Sequence, residues 1–121
     1  MDGGNWKEMF KAACSGDIEL VRYHIRHGVD INYVHPEVLS TPLVACILER
    51  QEEVALELLA HGALPDLHSE FDEKTPMQAA LATGLTKVVN KLQELGVEAS
   101  EPQRAPRQGF FKRLIAQWSP D

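Results

Sequence analysis

The chain reads as an all-α solenoid of three helix-pair repeats followed by a C-terminal helix. Three observations carry that reading. Gly28, Gly62 and Gly96 are evenly spaced, with a period of 34. Thr41-Pro42-Leu43 returns one period later as Thr75-Pro76-Met77. Between these marks the apolar residues fall at helical spacing in two short runs per unit. A fixed period near 33 with one helix pair per unit is the signature of a solenoid, because one pair cannot bury both its apolar faces alone.

The 41–62 stretch is the clearest unit. Thr41 suits a helix N-cap, and Pro42 suits the first helical position, where a missing N–H costs nothing. Leu43, Ala45, Cys46 and Ile47 line the first helix, and 49–53 is a polar break. Val54, Ala55, Leu58 and Leu59 line the second helix, and Gly62 stands where a left-handed closing residue is wanted. His61, like His27, precedes the closing glycine, where an imidazole complements the negative helix end.

The other units follow in order. Residues 1–5 are expected outside the first helix, which runs from Trp6 to Ser15 with Trp6, Met9, Phe10, Ala12 and Ala13 on its apolar side. Gly16-Asp17 turns the chain, and Asp17 caps a second helix lined by Ile18, Leu20, Val21, His24 and Ile25. His24 stands where the other units carry Leu58 and Leu92, so it is expected in the core with a local partner. Residues 29–40 and 63–74 are equivalent connections, in which Asn32 and Asp66 share a register that favours short polar side chains. Unit three runs from Thr75 to Gly96, with Met77, Ala79, Ala80, Leu81 and Ala82, then Val88, Val89, Leu92 and Leu95, as its apolar residues. The repeats are thus about 6–39, 40–73 and 74–100 of a domain covering 1–100.

Residues 101–108 carry Pro102 and Pro106 and read as a non-helical connection. Residues 109–118 read as an amphipathic helix with Phe110, Phe111, Leu114, Ile115 and Trp118 on one side and Lys112 and Arg113 outside that stripe. Gly109 lies one period after Thr75, so this helix starts where a fourth first helix should start. That register favours a half-repeat cap, with Phe111, Leu114 and Ile115 near Met77, Leu81 and Val88. The basic and aromatic content fits a membrane surface or a partner's groove instead.

Several function classes are excluded or left without support. No apolar run approaches the ~18 residues of a membrane span, and the first residues do not form a secretory signal. The expectation is a cytoplasmic protein. Residues 1–99 hold 8 Lys/Arg against 16 Asp/Glu, whereas 100–121 hold 4 against 2. So acidic a body repels phosphate, and nucleic acid is not an expected partner. Cys14 and Cys46, on first helices, are read as two buried free thiols rather than a disulfide. There is no phosphate-cradling loop, nucleophile elbow or metal-helix motif, so no enzyme activity, metal or cofactor is expected. His24 with His27, or the finger acids with His35 and His68, offer no more than isolated ligands.

The units resemble a known family. Thr75-Pro76-Met77-Gln78-Ala79-Ala80 and Thr41-Pro42-Leu43-Val44-Ala45-Cys46 are similar to the T-P-L-H-x-A signature of ankyrin repeats. The signature histidine is replaced by Phe10, Val44 and Gln78, and the first unit has Lys7-Glu8-Met9 in place of Thr-Pro-Leu. The resemblance covers about residues 6–100. It implies an ankyrin-like solenoid whose finger loops and first helices bind a partner protein. Carried onto this chain, the partner-binding positions are Tyr33, His35, Glu37, Leu39, Arg50, Glu70, Phe71, Asp72 and Glu73. Loop aromatics on a rigid frame favour a contact surface, and the acids favour a partner with a basic surface. The chain is expected to act as a monomer, to hold, recruit or block that partner. The alternative is a peripheral membrane or assembly adaptor anchored through 109–118.

Overall fold

The computed structural model describes residues 2–99. Six α-helices appear there: α1 (Asp2–Ser15), α2 (Ile18–Arg26), α3 (Pro42–Leu48), α4 (Glu52–Ala60), α5 (Pro76–Thr83) and α6 (Thr86–Glu94). The connection expected over 101–108 and the helix expected over 109–118 lie outside the described residues. α1, α3 and α5 pack side by side in one row, and α2, α4 and α6 form a second row against it. The core lies between the rows, built on Trp6, Met9, Val21, Leu43, Ile47, Val54, Leu58, Met77, Val88 and Leu92.

The helix starts follow from the capping chemistry. Thr41 Oγ1 accepts the Val44 amide at 3.0 Å. Thr75 and Gln78 cap each other reciprocally, at 3.2 and 2.9 Å. Gln78, which replaces the signature histidine, therefore supplies a capping box in its own right. Asp17 accepts from the Leu20 amide at 3.2 Å. The His27 and His61 rings each donate from Nδ1 to a carbonyl of the preceding turn, Tyr23 at 2.8 Å and Glu57 at 3.0 Å. Gly62 has φ +97°, and Gly28 and Gly96 share that left-handed geometry.

One boundary differs from expectation. α1 begins at Asp2, ahead of Trp6. Gly3, Gly4 and Asn5 are poor helix formers, but extending a helix from an anchored turn is far easier than nucleating one. Trp6 and Met9 supply that anchor, buried at 1% and 0% exposure.

Long-range polar contacts hold the repeats in register. Arg22 grips Glu57 with two bonds, at 3.1 and 3.2 Å, joining α2 to α4. Gln51 donates to the Cys14 carbonyl at 3.2 Å, and Glu52 accepts the Lys87 amide at 3.2 Å. Asn32 bridges the fingers rather than only making a turn: its Nδ2 donates to the Gly62 carbonyl at 3.1 Å, and its Oδ1 accepts the Leu64 amide at 2.8 Å. His24 is buried, and its Nε2 lies 2.9 Å from Glu8 Oε1, the local partner expected for it.

Candidate partner-binding groove

The fingers lead into the N-termini of α3 and α5, so they flank the first-helix row at one end. The second finger is closed by an antiparallel bridge between Ser69 and Lys74. It is tied to the first finger by the Phe71 amide, which donates to the Leu39 carbonyl at 3.0 Å. Between the fingers and the first helices lies a groove of about 450 Å³. Phe10, Val38, Ala45 and Leu48 give it an apolar floor, Glu37, Glu49 and Asp72 bring acids to it, and Phe71 lines it as well. Phe71 is 73% exposed, an aromatic ring held in solvent by a pinned finger.

Of the expected contact residues, Glu37, Phe71 and Asp72 meet in this groove. Glu37 pairs with Lys7 at 3.2 Å, and that hydrogen bond and charge hold its carboxyl below the ordinary range. Asp72 is committed inward: its Oδ2 accepts from Ser40 and from Ser69, both at 2.7 Å. Ser40 and Ser69 are buried, so Asp72 fixes the second finger as much as it colours the groove. Tyr33 and His35 pack on Trp6, edge-on at 6.1 Å and stacked at 5.5 Å respectively. Glu70 and Glu73 are on the second finger, Glu70 exposed to solvent.

Arg50 is not part of this constellation. It follows α3 at the end away from the fingers, ~10 Å along the helix, and its guanidinium donates to the Thr83 carbonyl at 2.8 Å. It also has φ +64°, in the register of Gly16 (+85°) and Gly84 (+73°). Leu39 (+60°) and Glu73 (+55°) form a second such pair, one period apart, each just before the run into a helix. Left-handed backbone in non-glycine residues costs energy and persists only where the surroundings over-determine it.

Sequence reasoning missed Glu49, Phe10, Val38 and Leu48. One signal pointed to part of this set. Leu48 lies one period after Cys14, so both occupy the same place on successive first helices. Glu49 had no such signal and read as part of a polar break. Cys14 is half-buried rather than buried, and it opens on the groove. Burial, then the charges of Glu49 and Asp72, push its thiol up to about 11. Cys46 is fully buried, donates to the Leu43 carbonyl at 3.3 Å, and has its thiol pushed up further by burial. The surroundings of both thiols disfavour the thiolate. Among the described residues no three His, Cys, Asp or Glu side chains are grouped as a metal site requires. No described helix is long and apolar enough to cross a membrane.

Stacked helix pairs joined by finger loops define a helical repeat scaffold. Comparison with known proteins gives the family. The family model described as ankyrin repeats (3 copies) matches residues 9–102. A putative ankyrin repeat protein of fowlpox virus (strain NVSL) is 27% identical over 88 residues, which are 73% of this chain and 15% of that relative. The chain therefore belongs to the ankyrin-repeat family, whose repeats are generally protein–protein interaction modules. It spans only about a seventh of the viral relative's length.

Proposed function

We propose that the groove takes a segment of a partner protein that presents a basic side chain beside apolar ones. The observation that carries this reading is the pairing of an apolar floor with Glu49, Asp72 and the exposed Phe71 in one concavity. Phe71 covers the apolar part of the segment, and exposed aromatics on a rigid frame are favoured hot spots. Glu49 faces the basic group, and the excess of acids over residues 1–99 steers it inward. The mechanism is steric and electrostatic: the segment is held, and its other contacts are blocked.

The test is selection of binding segments from a random peptide library on the full chain, followed by titration. Selected peptides should be enriched in Lys or Arg next to apolar residues. Phe71→Ala should weaken binding by ~30-fold, as for a hot spot of about 2 kcal/mol. Glu49→Lys should slow association and reduce its salt dependence. Peptides without basic enrichment, or binding indifferent to both substitutions, would refute this reading.

A further inference from the structure

The third repeat carries an apolar face that the first two repeats keep covered. Ala13 and Ile47, equivalent residues on α1 and α3, are both 0% exposed beneath the following first helix. Leu81, the equivalent of Ile47 on α5, is 48% exposed. The second helices show the same step. Val21 and Ala55 are fully buried, whereas Val89 in their register is only partly so. At the helix exits Val29 and Ala63 are buried, and Val97 is not. No helix follows α6 among the described residues to cover Leu81, Val89 and Val97.

We propose that residues 110–118 of the same chain dock on this face as a fourth first helix. The register singles out that segment. Phe111 lies one period after Met77, and Ile115 one period after Leu81. Its apolar stripe of Phe110, Phe111, Leu114, Ile115 and Trp118 has the helical spacing of a first helix. Residues 100–108 span up to ~30 Å when extended, against an interhelix distance of ~10 Å, so the link reaches. Tethering sets the effective concentration in the millimolar range, which favours the chain's own segment over a second copy. Lys112 and Arg113 add the complementary charge to an acidic body. The contact set differs from the one the sequence implied. Met77 and Val88 are already buried within the described repeats, so the segment meets Leu81, Val89 and Val97. This inference concerns a different face from the groove and stands or falls separately.

A double-mutant cycle on the full chain tests it. Leu81→Gln and Phe111→Gln should each lower the melting temperature by about 4 °C or more, and the double variant should melt no lower than the worse single. Phe111→Gln should also shift the backbone amide NMR signals of residues 81, 89 and 97. Three outcomes overturn the proposal: an unchanged melting temperature for Leu81→Gln, losses that simply add, or amide signals that do not move. A melting temperature that climbs with protein concentration overturns it in favour of a second copy on this face.

Discussion

Replacing Glu73 by glycine should make the protein more stable, although Glu73 is a charged finger residue with no defect in its contacts. Its φ is +55°. An L-residue in the left-handed region pays roughly 1–2 kcal/mol, because Cβ crowds the following carbonyl oxygen. Glycine avoids that cost, at the expense of about 0.4–1 kcal/mol of extra chain entropy in the unfolded state. The Glu73 amide bond to the Glu70 carbonyl, at 3.3 Å, belongs to the backbone and survives the change. The net gain is about 0.5–1 kcal/mol, or a melting temperature raised by about 2–8 °C for a domain of this size. Gly62→Val is the opposite control. An added Cβ at Gly62 meets no atom within 4 Å, so the loss there comes from φ +97° alone. Denaturant unfolding and thermal melts of the two variants measure both effects. A Glu73→Gly protein less stable than wild type would sink the strain argument, and a tolerated Gly62→Val would sink its converse.

Three further expectations follow from packing and charge. Leu58 is fully buried in the middle repeat, so Leu58→Ala should cost about 2–5 kcal/mol and unfold all three repeats in one transition; a loss under about 1 kcal/mol would remove Leu58 from the core. The Arg22 hydrogen bond and charge lower the Glu57 carboxyl from its ordinary 4.5, against a smaller opposing push from burial. A depressed folded value adds stability above the unfolded value and loses it as pH falls through the folded one, so the wild-type advantage over Glu57→Gln should shrink on acid titration below pH 4.5. With its thiol raised from 9.0 to about 11, Cys14 should alkylate at pH 8 roughly 100-fold more slowly than a free cysteine, and a peptide held in the groove should slow it further; rapid labelling of Cys14 would contradict its half-buried, acid-flanked setting.

What the sequence determined by itself is the repeat: its period, its caps and its core. Thr41 and Asp17 cap as their residue types predict, Thr75 does the same one period after Thr41, and Gly62 turns left-handed where a closing residue was required. Buried Leu58, Val88 and Leu92 follow from helical spacing. These features rest on interactions within a turn or so of helix, which residue order records directly. The groove was legible only in part. Phe71 and Glu37 were visible as loop residues, but Glu49 looked like a polar break, and Arg50 lies at the other end of α3, bonded to Thr83. Asp72 looked like one acid among several until Ser40, nearly a full repeat away, was found to hold it. The left-handed turns at Leu39 and Glu73 carried no sequence mark either, because neither is glycine nor in register with one, whereas Arg50 shares the register of Gly16 and Gly84. Each occupies a place where the chain leaves one helix or runs into the next. Those choices are made by contacts between one repeat and the next, and only the packed tertiary structure brings such residues together.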